Sequence, residues 1–142
     1  MYKLFSPNWF LKISKFLIPF SGILFLILTP IGLYFSLYNS PEDYQQGSMV
    51  RIMYVHVPSA WMSLGIYSFM AICSFSCLVW KTKMSYILSV SAAPIGAGFA
   101  LITLVTGSIW GKPIWGTWWV WDARLTSMLV LFFIYISFLY ID

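Results

Sequence analysis

Charged residues are so sparse in this chain that they divide it into four long uncharged segments. No Asp, Glu, Lys or Arg occurs at 16–41, 52–80, 84–111 or 125–141. A helix that crosses the hydrocarbon core of a bilayer needs about 20 mostly apolar residues. Charged residues make up 8% of the sequence, whereas a soluble domain usually has about 25%. The pattern therefore predicts an integral membrane protein.

Each uncharged segment is predicted to be a transmembrane helix, which makes the fold an all-α helical bundle. Within hydrocarbon every backbone N–H and C=O must be paired, and the segments lack the alternating pattern of barrel strands. Small residues four positions apart, Ser89, Ala93 and Ala97, favour close helix packing. The first segment is too long for a signal peptide, so we expect it to be retained. We predict a single membrane domain over 1–142, with spans at about 16–38, 58–80, 86–109 and 125–141 and outer loops at 39–57 and 110–124.

The basic residues predict how these spans are oriented. The N-terminal segment and the turn at 81–85 carry five Lys and no acidic residue, whereas the loops at 39–57 and 110–124 carry three basic and three acidic residues. Because basic loops stay on the cytoplasmic side, we expect a cytoplasmic N-terminus and two outer loops facing the periplasm. The start is rich in Lys rather than Arg, which favours a bacterial inner membrane and leaves a mitochondrial inner membrane open. Nucleic-acid binders cluster their basic residues on one patch; here they are dispersed, so membrane lipid is the expected surrounding and nucleic acid is not an expected partner.

The second outer loop, 110–124, contains five of the eight tryptophans of the chain. They are Trp110, Trp115, Trp118, Trp119 and Trp121. An aromatic belt at the membrane interface is the plain alternative, but it does not explain this density, interleaved with glycine and followed by Asp122. If the chain is helical from Pro113 onward, four side chains share one face: Trp115, Trp118, Trp119 and Asp122. That face would be a flat aromatic platform suited to a large planar π system.

The chain has one histidine, His56, at the predicted junction of the first outer loop with the second span. A single histidine can be a hydrogen-bonded interface residue and nothing more. However, an ionisable residue at membrane depth is a functional candidate, and neutral imidazole is a common axial ligand of haem iron. His56 also lies on the same predicted side of the membrane as the tryptophan loop. His56 is therefore a candidate axial ligand of a haem iron, and the interface role stays open.

Two arginines accompany the tryptophan loop and the histidine. Arg51 and Arg124 could each bind a haem propionate, because the guanidinium fork engages carboxylates bidentately. The alternatives are a solvated charge or an internal pair between Arg124 and Asp122, and both stay open. The sequence contains no glycine-rich phosphate loop, no Ser/His/Asp set and no paired carboxylates, so we expect any nucleotide hydrolysis to come from a partner.

Two motifs resemble a known family. The segment Trp110–Ser127, WGKPIWGTWWVWDARLTS, resembles the tryptophan-rich WWD signature of haem-handling proteins in cytochrome c biogenesis. Within that group its Asp-Ala-Arg-Leu-Thr tail is similar to the haem exporter protein C (CcmC) family. The segment Met53–Trp61, MYVHVPSAW, resembles the first histidine motif of that family. The resemblance covers essentially the whole chain.

The resemblance implies a site and a set of partners. His56 corresponds to the first of two outer-face histidines that ligate haem iron. The matching loop contacts haem b, which is bound transiently as cargo, and docks the haem chaperone CcmE; its residues are Trp110, Trp115, Trp118, Trp119, Trp121 and Asp122. An ATP-driven release step belongs to the ABC transporter CcmAB with the small protein CcmD. The implied function is delivery or export of haem to the periplasmic chaperone, without catalysis by this chain.

The chain departs from the family pattern in its number of spans and histidines. Members have six spans and a second histidine in a later outer loop, so we expect this chain to be a C-terminally truncated member, or one whose remaining part is encoded separately. A haem-free docking subunit of the maturation complex is therefore an alternative function. A membrane cytochrome b would need paired histidines within its helices, and a cofactor-free transporter would need polar residues in mid-span. Neither pattern is present.

Overall fold

A computed structural model describes residues 6–141, and over that range the chain is built from helices. The predictions that involve Lys3 and Asp142 lie outside the described residues. The four long helices are α1 (Pro7–Tyr34), α2 (Met53–Trp80), α3 (Lys83–Trp115) and α4 (Ala123–Ile141). A π-helical turn, Phe35–Asn39, continues α1, and a 3-10 turn, Ser48–Ile52, leads into α2.

Within residues 6–141, four helical segments are long and apolar enough to cross a membrane, which confirms the predicted all-α membrane fold. Many large apolar side chains are exposed along these helices. In water such extensive apolar surface would be unfavourable, whereas lipid is its natural solvent. The chain is a multi-pass membrane protein.

The helices extend beyond the predicted spans at several ends. The first begins at Pro7 rather than near residue 16, with Ser6 as its N-cap and proline in its first turn. The second begins at Met53 rather than near residue 58, and the third continues to Trp115 rather than ending near residue 109. Uncharged segments mark what hydrocarbon can contain, but a helix continues into the interface wherever its backbone stays paired.

The chain divides into two compact units, residues 1–41 and 42–142. That the two units form a single membrane domain stays a prediction from the sequence. In the second unit, α3 packs against both α2 and α4. The turn between α2 and α3 is short because Lys81 adopts a left-handed conformation and its N–H donates to the Cys77 carbonyl at 2.8 Å.

The core of the second unit is built on small residues of α3. Ser89, Ala93 and Ala97 are all buried, as the small-residue pattern predicted. The fully buried ring of Tyr135 from α4 lies against Gly96 of α3. Its hydroxyl donates to the backbone carbonyl of Ser63 in α2 at 2.7 Å. One side chain thus joins three helices and fixes their relative positions below the tryptophan loop.

Candidate functional site

The tryptophan loop begins as the last turns of α3. Trp110 and Trp115 are still helical, and the helix ends at Gly116, whose φ of 76° is the left-handed conformation of a helix C-terminus. The N–H of Gly116 donates to the carbonyl of Lys112 at 3.0 Å. The chain then runs without helix until α4 begins at Ala123.

This arrangement corrects the predicted aromatic platform. Pro113 lies in the last turns of α3, not in the first turn of a new helix. Because glycine readily adopts positive φ, Gly116 ends the helix before the later tryptophans are reached. Trp115 and Asp122 therefore lie in different segments, and the predicted shared helix face over 115–122 is wrong.

The indole rings form edge-to-face pairs instead of a flat surface. The ring centroids of Trp110 and Trp115 are 5.1 Å apart with an interplanar angle of 88°. Those of Trp119 and Trp121 are 5.5 Å apart at 77°. Edge-to-face contact is favoured because the positive ring edge meets the negative face. Trp118 and Trp121 remain 57% and 77% exposed, so the loop offers accessible aromatic surface.

Asp122 caps the N-terminus of α4. Its Oδ1 accepts the backbone N–H of Leu125 at 2.8 Å, which makes it the N-cap of the helix. Its Oδ2 accepts hydrogen bonds from Nε and Nη2 of Arg124, at 3.1 and 2.8 Å. The bond from Leu125 first, and then the Arg124 guanidinium, hold the pKa of the Asp122 carboxyl below its ordinary value. The carboxylate therefore stays charged and orients the beginning of α4.

Arg124 forms the internal pair that the sequence left as one of its alternatives. Its side chain is nevertheless 78% exposed, and its guanidinium carbon lies 5.8 Å from the centroid of the Trp115 ring. Contact between a cation and an indole face is favourable. The arginine is thus held beside the tryptophan loop with most of its side chain exposed.

A cavity of about 280 Å³ opens among α2, α3 and α4. It brings together four of the predicted site residues: His56, Trp110, Trp115 and Arg124. The other residues that line it are Met53, Ala60, Thr103, Leu104, Gly107, Leu125 and Met128. Among the described residues around the cavity, the remaining predicted site residues do not contribute to its wall: Arg51, Trp118, Trp119, Trp121 and Asp122.

Two of these remaining residues are partly buried elsewhere in the same unit. Arg51 lies in the 3-10 turn before α2. The indole nitrogen Nε1 of Trp119 is buried and has no hydrogen-bond acceptor within residues 6–141. An indole N–H can only donate, so this group can still bind an acceptor.

His56, predicted at the junction of the first outer loop with the second span, lies one turn inside α2. Its ring is half-buried, and Nδ1 is 3.0 Å from Oγ1 of Thr106 on α3. A Cβ at Gly107 would stand 3.1 Å from Cε1 of the ring, which is closer than ordinary van der Waals contact. The absence of a side chain at Gly107 therefore allows the imidazole to lie directly against the α3 backbone.

Several residues of the site were missed in the sequence. Gln46 accepts the indole N–H of Trp110 at 3.0 Å and ties the first outer loop to the end of α3. Thr106 contacts His56, and Thr103 and Gly107 line the cavity. A helical count backward from Trp110 could have found them, because steps of three, four and seven residues lead to Gly107, Thr106 and Thr103.

Comparison with known proteins gives consistent matches along the chain. A family model described as heme exporter protein C matches residues 1–141. Heme exporter protein C of Haemophilus influenzae is 50% identical over 134 residues, which cover 94% of this chain and 54% of that protein. The Escherichia coli K12 protein of the same name is 48% identical over 137 residues, covering 96% and 56%.

A plant relative also matches. A putative cytochrome c biosynthesis ccmC-like mitochondrial protein of Marchantia polymorpha is 58% identical over 110 residues, which cover 78% of this chain and 48% of that protein. The chain spans about half the length of the curated relatives it matches.

Proposed function

Because the chain belongs to the haem exporter protein C family, we propose that it binds haem and presents it for export during cytochrome c maturation. The observation that carries this proposal is the convergence of His56, Trp110, Trp115 and Arg124 on one cavity. These residues come from three different helices. A packing role for each alone does not explain why an imidazole, two indoles and a guanidinium share one opening.

The chemistry of the cavity wall suits a haem. Neutral imidazole ligates haem iron, and apolar side chains such as Leu104, Leu125 and Met128 suit the macrocycle. Arg124 lines the cavity and its side chain is largely exposed, so its guanidinium can bind a propionate. The cavity is close to the lower end of the usual size of small-molecule sites, about 300–1,000 Å³. A bound haem would therefore project from the cavity toward the tryptophan loop.

Partial enclosure fits a cargo that must be released. An open cavity holds haem less permanently than the buried sites of resident cofactors. The exposed indoles of Trp118 and Trp121 would then contact the projecting edge of the cargo or the chaperone that receives it. We assign this docking role to the haem chaperone CcmE, and assign the energy-supplying step to CcmAB with CcmD.

The cellular setting is part of the same proposal. The lysine-rich N-terminal segment and the turn at 81–85 support a cytoplasmic N-terminus, because basic loops tend to stay on that side. The cavity and the tryptophan loop then open on the outer side of a bacterial inner membrane. Haem would be presented there without catalysis by this chain.

A second candidate function is docking without haem. The observation that favours it is that Trp118 and Trp121 are exposed and lie outside the cavity wall. Such residues can bind a partner whether or not the cavity is filled.

Co-purification separates these two functions. The full chain is expressed with CcmE, and the haem content and the amount of CcmE retained are measured for wild type, His56→Ala and the double variant Trp118→Ala/Trp121→Ala. Haem delivery predicts that His56→Ala loses haem but keeps CcmE, whereas the double variant loses CcmE. A chain that carries no haem and still retains CcmE through the two tryptophans would replace the first function by the second.

A further inference from the structure

The contact between His56 and Thr106 carries information about the proton on the imidazole. A neutral histidine has one N–H, and a ring nitrogen can donate or accept depending on which nitrogen holds it. The 3.0 Å separation of Nδ1 and Oγ1 is a good hydrogen-bond distance. The direction of this bond depends on which acceptor receives the hydrogen bond from the Thr106 hydroxyl.

The hydroxyl proton of Thr106 is already committed to the α3 backbone. Its Oγ1 donates to the carbonyl of Ile102 at 2.7 Å and lies 3.3 Å from the carbonyl of Thr103. Both carbonyls can only accept, and a threonine hydroxyl has a single proton. A threonine within a helix commonly donates its hydroxyl proton to the backbone carbonyl one turn earlier. With its proton donated to Ile102, the hydroxyl can only accept toward His56, and Nδ1 would then carry the hydrogen.

We infer that Thr106 is a positioning residue that holds His56 as its Nδ1–H tautomer and leaves Nε2 as the free ligating nitrogen. The chain of bonds runs from Nδ1–H to the Thr106 hydroxyl and on to the Ile102 carbonyl, so each bond polarises the next. Metal-ligating histidines are usually held in this way by a partner of their second nitrogen. The assignment of iron as the ligand rests on the proposed function, whereas the tautomer does not.

Gly107, the residue after Thr106, also restrains the position of the imidazole ring. Gly107 gives the ring direct access to α3, and a side chain there would press on Cε1. The ring is therefore confined by a hydrogen bond at Nδ1 and by the helix backbone beside Cε1. Confinement at these two atoms fixes both the proton and the ring orientation before any ligand arrives.

The tautomer can be measured without haem, because His56 is the only histidine of the chain. The full chain labelled with ¹⁵N-histidine is studied by NMR in detergent at mildly alkaline pH, where imidazole is neutral, for wild type, Thr106→Val and Thr106→Ser. Valine removes the hydroxyl at nearly constant shape, and serine keeps it. We expect the Nδ1–H pattern in wild type and in the serine variant, and a shift toward Nε2–H in the valine variant.

Two results would overturn the inference: an Nε2–H pattern in wild type, or an unchanged Nδ1–H pattern in a folded valine variant. If the valine variant does not fold, wild type decides alone, since the Nδ1–H pattern supports the assignment and the Nε2–H pattern overturns it.

Ferric haem titration of the same three proteins separates this inference from the proposed function. Loss of a partner to a metal-ligating histidine typically lowers metal affinity about 10- to 100-fold, so we expect that loss for Thr106→Val and near wild-type affinity for Thr106→Ser. If wild type binds no haem while its NMR pattern is Nδ1–H, the proposed function fails and the positioning role of Thr106 stands. If wild type binds haem through His56 and Thr106→Val matches it in both tautomer and affinity, the positioning role fails and the proposed function stands.

Discussion

Replacement of Gly96 by alanine is predicted to destabilise the three helices that carry the site. A Cβ at this position would overlap ring atoms Cε1, Cζ and Oη of Tyr135. The tyrosine is fully buried and cannot swing into open space. It must either shift together with α4 or give up its hydrogen bond to Ser63.

The expected magnitude follows from these contacts. Inserting a methyl group into a well-packed core typically costs about 1–3 kcal/mol, and loss of an interhelical hydrogen bond in a membrane protein costs roughly 0.6–1.7 kcal/mol. The higher helix propensity of alanine returns about 1 kcal/mol. We therefore expect Gly96→Ala to lower the free energy of unfolding by about 1–3 kcal/mol.

The assay is SDS-induced unfolding of the purified chain in detergent, followed by circular dichroism. Gly98→Ala is the matched control, because a Cβ at Gly98 meets no atom within 4 Å; it should be neutral or slightly stabilising. In a Tyr135→Leu background the overlapping atoms are gone, so Gly96→Ala should cost less than about 0.5 kcal/mol. A Gly96→Ala variant as stable as Gly98→Ala in the wild-type background would refute the packing of Tyr135 on α3.

Two further changes test the site itself. Gly107→Ala should weaken haem binding in equilibrium titration, because its Cβ would lie 3.1 Å from Cε1 of His56 and force the ring aside by a few tenths of an ångström; affinity equal to that of Gly98→Ala would argue against this contact. Asp122→Ala should increase hydrogen exchange at the first amides of α4, whereas Asp122→Asn should not, since asparagine also caps helices; equal exchange in both would contradict the capping role. Because the folded pKa of Asp122 is lowered, its stabilisation of α4 is fully present above the ordinary carboxyl value of about 4 and is lost as the pH falls below it. Helix loss measured by circular dichroism under acid should therefore begin at higher pH in wild type than in Asp122→Asn, and identical acid profiles would count against that titration.

The sequence predicted the membrane class and the four helices well, for a physical reason. Within hydrocarbon a long uncharged segment must pair its own backbone groups and therefore forms a helix. The positions of the few charged residues are thus enough to locate each span. Helix ends were less predictable, because a helix continues into the interface on local pairing and capping. The predicted junction at His56 is accordingly already inside α2.

The tryptophan loop was misread because two local signals competed. Pro113 suits the first turn of a helix, while Gly116 suits the residue just after a helix end. In the structure the glycine signal prevails, because α3 extends to Trp115 and ends at Gly116. The shared face over 115–122 therefore does not exist.

The candidate site was predictable in part. His56, Trp110, Trp115 and Arg124 stood out by residue type, and the structure brings them to one cavity. The pairing of Arg124 with Asp122 was one of two open alternatives. Thr106 could not be identified by type, because its role depends on the packing of α2 against α3.

The most direct test of haem binding is a ferric haem titration of the purified full chain in detergent, followed by the Soret band. Wild type is compared with His56→Gly, with and without added imidazole, and with Trp61→Ala as a control at an exposed position of α2. We expect a shifted Soret band in wild type and in the control, its loss in His56→Gly and its return with imidazole. Haem bound by His56→Gly with the spectrum and affinity of wild type would contradict it.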